Sequence, residues 1–204
     1  MHGWYRFGYN LSKFILRTFF RMRVIYPERL LEEGGVIYAA NHASYLDPPI
    51  IGTCCQRPIY YLARKTLMKW PILGPIFPSL NVVPVDQERA DMSALKTIIK
   101  LVREGHRTII FPEGARTLDG NLGPAQPGLG LVVSKTRAPV VPMRIFGSYE
   151  AFPRGSSRVK LARITVVVGE PIIFTDAELA NGRESYQRVS ERVLAAIGSL
   201  QLPS

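Results

Sequence analysis

A histidine and an aspartate stand close together in the stretch NHASYLDP, residues 41–48, directly after the apolar run VIYAA. His42 is one of only three histidines in the chain, and Asp47 follows it by five positions. A carboxylate beside an imidazole can keep one ring nitrogen as N–H and leave the other free to accept a proton. The pair therefore predicts a general base acting on a substrate hydroxyl near neutral pH. A helix cap beside a structural loop histidine is the alternative interpretation.

The sequence offers no nucleophile for a covalent intermediate. No G-x-S-x-G motif marks a reactive serine. The only cysteines, Cys54 and Cys55, are adjacent, so they form neither a disulfide framework nor a spaced set of metal ligands. We therefore expect direct attack by a substrate hydroxyl, with both thiols reduced and used for packing.

A second polar cluster lies in FPEGART, residues 111–117, which follows the apolar run RTIIF as a site loop follows a strand. Gly114 allows the backbone to approach a ligand closely, and the guanidinium of Arg116 presents a planar fork suited to phosphate. The structural alternative is a turn in which Glu113 and Arg116 pair with each other.

Short apolar runs alternate with helical patterns along the rest of the chain, which predicts α/β layers. One helix is predicted after Asp91, with Gly105 as its stop, and a last helix over about residues 184–197. The segment 118–130 is rich in Gly and Pro and predicts a loop. The strand candidates are VIYAA (36–40), PIYYLA (58–63), NVVPV (81–85), RTIIF (107–111), APVVPMRIF (138–146) and ARITVVVG (162–169).

The N-terminal segment combines aromatic and basic residues. Residues 1–30 hold six Lys and Arg against one Glu, which is half of the net charge of +10. Apolar residues that share one helical face are Trp4, Phe7, Leu11, Phe14, Ile15 and Met22. Basic residues that gather on another face are Arg6, Lys13, Arg17 and Arg21. This pattern predicts a helix lying in the headgroup layer of an anionic membrane; the alternative is an ordinary helix whose aromatic side packs on the domain.

The composition also bounds the partners and the location. A pI near 9.9 favours an anionic partner, but the aromatic and basic faces are separate and no nucleic-acid motif occurs, so nucleic acid is not expected. No apolar run reaches the roughly 18 residues of a membrane-spanning helix, and no signal-peptide cleavage site follows the apolar N-terminal part. We expect a cytoplasmic protein bound peripherally to the cytoplasmic face of the membrane.

Taken together, the two motifs resemble the 1-acylglycerol-3-phosphate acyltransferase (PlsC-like) family. NHASYLDP resembles the N-H-x4-D block of that family, and FPEGART resembles its F-P-E-G-T-R-S block. VVPMRIFG, residues 140–147, resembles the late V-P-[VI] block, and ARKTL, residues 63–67, resembles the basic A-K-x-E-L segment. The resemblance covers roughly residues 25–175, which is most of the chain.

The resemblance implies a role for each matching residue. His42 would take the proton from the acceptor hydroxyl, and Asp47 would orient the imidazole. A thioester donor, acyl-CoA or acyl-carrier protein, would supply an activated carbonyl, so neither a metal nor a cofactor is implied. The residues implied to hold the glycerol-phosphate part of the acceptor are Glu113, Gly114 and Arg116. Arg64 or Lys65 would add positive charge at the phosphate.

The sequence departs from the family pattern at several positions. Ala115 replaces the usual Thr and loses a hydroxyl, whereas Thr117 replaces Ser and keeps one. Gln87 stands where an Arg commonly follows the Asp of the second block. Arg89, two residues on, is either a substitute contact for the phosphate or an exposed charge, so the acceptor is the least defined part of the inference.

These observations predict a single α/β domain with a mixed β-sheet flanked by helices, of the glycerol-3-phosphate acyltransferase-like fold. Residues 1–25 are predicted to form a membrane-docking helical segment, and residues 26–204 the acyltransferase domain. The expected reaction acylates a lysophosphatidate-like lipid and gives phosphatidic acid, by a His/Asp general base without a covalent intermediate. The alternatives are a different acceptor (glycerol-3-phosphate, another lysophospholipid or an amino-lipid) and a non-enzymatic protein that binds anionic lipids.

Overall fold

The chain alternates helices and strands from end to end. The structure is a computed structural model, and it describes residues 3–69, 71, 74, 76–85, 92–180 and 182–203. The strands are β1 (Arg23–Ile25), β2 (Val36–Ala40), β3 (Ile59–Arg64), β4 (Val82–Val85), β5 (Arg107–Ile110), β6 (Val140–Phe146) and β7 (Thr165–Val168). The α-helices are α1 (Gly3–Phe19), α2 (Asp47–Cys54), α3 (Met92–Arg103), α4 (Gly128–Thr136), α5 (Ser148–Ala151), α6 (Asp176–Leu179) and α7 (Arg183–Ser199).

The strands form a sheet in the order β1-β7-β6-β2-β5-β3-β4. Neighbouring strands run parallel, except that β6 and β7 are antiparallel. Parallel neighbours need long crossover connections, and helices on both faces supply them. The predicted mixed sheet flanked by helices is therefore confirmed.

Each of the six predicted strands is present, and each end lies within a few residues of its predicted position. The helix after Asp91 is also confirmed: it begins at Met92 and ends at Arg103, and Gly105 follows in the left-handed region with φ +83°. Strand β1 was not predicted, because three residues give too short a pattern. The last residues of the predicted loop 118–130 already belong to α4.

The central strand β2 is buried along its whole length and separates two apolar cores. Val36, Tyr38 and Ala40 point into the core that contains α2 residues such as Ile50 and Ile51. The alternate residues of β2 point into a second core, formed with residues of α3, α4 and α7. Both faces of the strand are covered, which fixes the position of its C-terminal end.

Helix α1 packs one side against α2 and against the short 3-10 helix Phe77–Leu80. Tyr5 and Leu16 are buried there, and the Tyr5 hydroxyl accepts a hydrogen bond of 3.0 Å from the backbone N–H of Ile59. The opposite side of the helix exposes Trp4, Phe7, Leu11, Phe14, Ile15 and Phe19. The predicted aromatic face is thus not covered by the domain, although Met22 lies beyond the end of the helix and packs against the core. Among the described residues, no helix is both long and apolar enough to cross a bilayer.

Close packing between α4 and α7 depends on a glycine. A Cβ atom on Gly130 would lie 2.0 Å from the carbonyl oxygen of Tyr186, so α7 must move to admit a methyl group. We expect Gly130→Ala to lower the free energy of unfolding by about 1–3 kcal/mol, because overpacking forces backbone shifts. Urea unfolding followed by circular dichroism measures it. Gly3→Ala, where a Cβ atom meets no neighbour within 4 Å, is the control, and equal stability of the two variants would contradict the expectation.

Candidate active site

Three loops meet at one edge of the sheet, where the parallel strands β2, β5 and β6 all end. Ala39 of β2 lies beside Ile110 of β5, and Ala40 lies beside Met143 of β6. The loop that contains His42 and the loop that contains Glu113 therefore leave the sheet side by side. The two motifs, 71 residues apart in sequence, form one site.

Asn41 fixes the first of these loops to β6. Its side-chain amide donates to the carbonyl of Ile145 at 3.0 Å, and its Oδ1 accepts from the N–H of the same residue at 2.7 Å. Both bonds are buried, so water does not compete with them. Asn41 thereby sets the point at which His42 leaves the sheet.

Asp47 organises the loop and orients the imidazole at the same time. Its side chain is fully buried at the first residue of α2, and Oδ2 accepts from His42 Nδ1 at 2.9 Å. The same oxygen accepts from the N–H groups of Ala43 and Ser44, each at 2.7 Å. Because the carboxylate is the acceptor, Nδ1 carries the proton, and Nε2 is left as the proton acceptor of the neutral ring.

One face of the His42 imidazole packs against the ring of Phe111. The two rings are stacked with centroids 3.8 Å apart and planes 12° from parallel. The His42 side chain is only 17% exposed, so the ring has little freedom to turn. Phe111 belongs to the FPEGART motif, but no role was predicted for it from the sequence; its position directly after an apolar run was the available signal.

Glu113 joins the two motifs through the backbone. Its side chain is buried, with Oε1 accepting from the N–H of His42 at 2.8 Å and Oε2 accepting from the N–H of Gly123 at 2.7 Å. The N–H of Thr117 returns a bond of 2.9 Å to the carbonyl of His42. The expected alternative, an ion pair between Glu113 and Arg116, is absent from the described residues. In this arrangement Glu113 holds the His42 loop against the second motif.

Arg116 lies over an aromatic ring from the first motif. Its Cζ is 3.6 Å from the centroid of Tyr45, and its Nη1 is buried with no hydrogen-bond partner. Gly114, just before it, has φ +71°, a conformation that favours glycine, and its N–H donates to the Phe111 carbonyl at 3.0 Å. The tight turn at Gly114 brings the guanidinium back over the His42 loop.

The hydroxyl of Thr117 donates a hydrogen bond within the loop that follows it, to Asp119. Hydrogen bonds from Asn121, at 2.9 Å from its side chain, and from Thr117, at 2.7 Å, lower the pKa of Asp119 to about 2. Asp119 is therefore ionised at neutral pH and holds residues 117–121 as a compact turn.

The remaining predicted cations lie further along the sheet edge or outside the described residues. Arg64 is the last residue of β3, a parallel neighbour of β5, and Lys65 begins a short 3-10 helix, Lys65–Lys69, directly after it. The backbone of Arg64 and Lys65 thus reaches the same edge of the sheet as the two motifs. Arg89 and Gln87 lie outside the described residues.

The two cysteines are set away from this edge, at the C-terminal end of α2. Burial raises the pKa of the Cys55 thiol to about 12 and the pKa of Cys54 well above its ordinary value. The Cys54 thiol also donates to the carbonyl of Ile50 at 3.3 Å. Both groups are protonated at neutral pH, which agrees with a packing role.

The fold and the two motifs at this edge of the sheet match one family of proteins. A family model described as Acyltransferase matches residues 21–146, which include both motifs and the strands that carry them. The chain belongs to this acyltransferase family, as its motifs predicted.

Named relatives are found in bacteria and plants. The chain is 28% identical over 198 residues to the 1-acyl-sn-glycerol-3-phosphate acyltransferase of Bacillus subtilis, covering 97% of this chain and 96% of that protein. It is 32% identical over 145 residues to the enzyme of the same name from Cocos nucifera, covering 70% of this chain but only 47% of the plant protein. The crystal structure of the 1-acyl-sn-glycerophosphate (LPA) acyltransferase PlsC from Thermotoga maritima superimposes with a TM-score of 0.73 at 25% identity, covering 98% of this chain and 80% of that one.

The raised thiol pKa values give a direct test of the packing role. With a pKa of about 12, the Cys55 thiolate amounts to a fraction on the order of 10⁻⁵ at neutral pH, and thiolate is the reactive form. We expect iodoacetamide to leave both cysteines of the native protein unmodified and to label both in urea, as read by mass spectrometry. Rapid labelling of one native cysteine with loss of activity would contradict this expectation.

Proposed function

We propose that this acyltransferase moves a fatty acyl group from acyl-CoA or acyl-carrier protein to the free hydroxyl of 1-acyl-glycerol-3-phosphate, giving phosphatidic acid. The observation that carries the proposal is the His42 imidazole, bonded through Nδ1 to the buried Asp47 and stacked on Phe111. Arg116, a candidate anion-binding group, lies over the ring of Tyr45, three residues after the candidate base, which supports a base and an anion-binding group in one site. The names of the relatives support the lysophosphatidate acceptor.

In the proposed step, the acceptor hydroxyl donates its hydrogen bond to Nε2 of His42. The proton passes to Nε2 as the hydroxyl oxygen attacks the thioester carbonyl carbon. Asp47 stabilises the imidazolium that forms, because its carboxylate already holds Nδ1–H. The tetrahedral intermediate then expels the thiolate, which takes the proton back from Nε2. The ester, the free thiol and neutral His42 are the products of the step.

Both substrates bind together in this mechanism, so orientation supplies much of the rate. The thioester carbonyl is already activated, and the step uses neither a metal nor a cofactor. The protonated thiols of Cys54 and Cys55 support a route without an acyl-enzyme.

Arg116 is the group proposed to bind the acceptor phosphate, since a guanidinium fork matches the geometry of phosphate oxygens. Gly114 allows the turn that presents it. We propose that Lys65 and Arg64 add positive charge along the same edge, and that Arg89 does so from outside the described residues. Glycerol-3-phosphate, other lysophospholipids and amino-lipids are the competing acceptors, and a panel of these with palmitoyl-CoA in a thiol-release assay ranks them.

We further propose that α1 docks the enzyme on the anionic cytoplasmic surface of the membrane. Its exposed side presents two phenylalanines seven residues apart, Phe7 and Phe14, each 61% exposed. Trp4 is 67% exposed and lies edge-on to Phe7. Large rings on one side of a helix with a basic flank match the requirements of a headgroup-layer helix.

The base assignment is tested by His42→Ala. We expect thiol release with lysophosphatidate and palmitoyl-CoA to fall by at least about a hundredfold, because positioned base catalysis contributes roughly 10²–10⁴ in rate. Circular dichroism checks that the variant is folded, because the ring also stacks on Phe111 and bonds the buried Asp47. His106→Ala is the matched control, because His106 precedes β5 and stacks on Tyr60, away from the site. Near-normal turnover by His42→Ala would remove the assignment.

The membrane proposal calls for point substitutions rather than truncation, because Leu16 and Phe20 belong to the core. We expect Phe7→Ser with Phe14→Ser to weaken binding to phosphatidylglycerol vesicles by at least about tenfold, since each buried ring contributes roughly 1.5–3 kcal/mol. Vesicle co-sedimentation measures the loss. Leu161→Ser with Ile173→Ser removes two equally exposed apolar residues elsewhere and serves as the control. Equal binding by the parent and the α1 variant would contradict docking through this helix.

A further inference from the structure

Tyr45 is a large exposed ring between the two residues of the proposed base. It occupies the third of the four positions that separate His42 from Asp47. Its side chain is 44% exposed, whereas the preceding residues Ala43 and Ser44 are buried. Core packing therefore does not account for the ring, and its contacts point to another role.

The position of Tyr45 is fixed by the loop that follows α5. Its N–H donates to the carbonyl of Phe152 at 3.2 Å, and the Ser44 hydroxyl donates to the same carbonyl at 2.8 Å. The Tyr45 ring rests on the Phe152 ring, with centroids 5.0 Å apart. Backbone and ring are thus both held, and one face of the ring makes a further contact.

That face carries the guanidinium of Arg116. The Cζ of Arg116 lies 3.6 Å from the centroid of the Tyr45 ring, which is the geometry of a cation–π pair. Arg116 makes no ion pair with a carboxylate among the described residues, and its buried Nη1 has no hydrogen-bond partner. The ring orients the guanidinium without using its N–H groups.

For an arginine that binds an anion, it matters whether its partner in the protein is a carboxylate or an aromatic ring. A carboxylate partner would occupy the N–H fork and compete with an incoming phosphate, whereas an aromatic face attracts the cation and leaves the donors free. The nearest carboxylate of the motif, Glu113, is already committed to the backbone N–H groups of His42 and Gly123. Neither arrangement pairs the Arg116 guanidinium with a carboxylate, although its Nη1 is buried.

We propose that Tyr45 is a positioning residue that holds the Arg116 guanidinium ready for the phosphate of the acceptor and so sets the KM for that substrate. The inference rests on the proposed function, in which Arg116 binds this phosphate. It assigns Tyr45 to acceptor binding rather than to proton transfer, which separates its effect from that of His42.

The test compares Tyr45→Leu, which keeps apolar bulk against Phe152 but lacks a π face, with Tyr45→Phe, which keeps the ring. Steady-state kinetics with palmitoyl-CoA and lysophosphatidate give KM and kcat for each, with monoacylglycerol as the acceptor that lacks phosphate. We expect Tyr45→Leu to raise the lysophosphatidate KM about fivefold to thirtyfold, with kcat changed by less than about twofold. Tyr45→Phe should keep the lysophosphatidate KM of the parent protein. Neither substitution should change the KM for monoacylglycerol.

Arg116→Ala and the double variant Tyr45→Leu with Arg116→Ala complete the cycle. If the ring acts through the guanidinium, Tyr45→Leu adds no further increase in KM once Arg116 is gone. Additive effects, an equal defect in Tyr45→Phe, or a loss confined to kcat would overturn the proposal.

An unchanged lysophosphatidate KM in Arg116→Ala would instead overturn the phosphate assignment of the proposed function. A raised KM in Arg116→Ala with a normal KM in Tyr45→Leu would reject the role of Tyr45 alone. Circular dichroism confirms that each variant is folded.

Discussion

The geometry of the site depends on two hydrogen bonds accepted by the buried carboxylate of Glu113. The carboxylate accepts one hydrogen bond from the backbone of the His42 loop and another from Gly123, so it joins the His42 loop to the second motif and to the segment that follows that motif. A buried carboxylate is costly unless its oxygens are hydrogen-bonded, and here backbone N–H groups satisfy both. The sheet brings β2 and β5 side by side, and Glu113 then fixes the separation between the loops that follow them.

A common principle governs the two buried acids of the site. Asp47, like Glu113, accepts from backbone N–H groups, so its negative charge is stabilised within the loop that it shapes. Neither acid is paired with an arginine or a lysine among the described residues. The guanidinium of Arg116 and the Nε2 of His42 are therefore not paired with either acid, and these are the two groups proposed to act on the substrates.

The same core supports the catalytic loop and the helix proposed to meet the membrane. Helix α2 begins at Asp47, and α1 packs against it through its buried side. The core that contains Ile50 and Ile51 of α2 also contains Leu16 of α1. A lipid acceptor drawn from a bilayer surface would thus reach a site whose own framework is fixed to the docking helix.

Most helices and strands could be predicted from the sequence, because they depend on local patterns, and the same patterns suggested a chemistry for each motif. The alternation of apolar runs located six strands, and the spacing of His42 and Asp47 predicted that these two side chains pair, which the structure shows at 2.9 Å. Strand β1 was not predicted because three residues form too short a pattern. The start of α4 was assigned to a loop because it is rich in glycine. Three features became visible only in the folded chain: the stacking of Phe111 on His42, the position of Arg116 over Tyr45, and the side of α1 that faces outward. These contacts join residues from distant parts of the chain, and their geometry follows from strand order and loop packing, which no local pattern encodes.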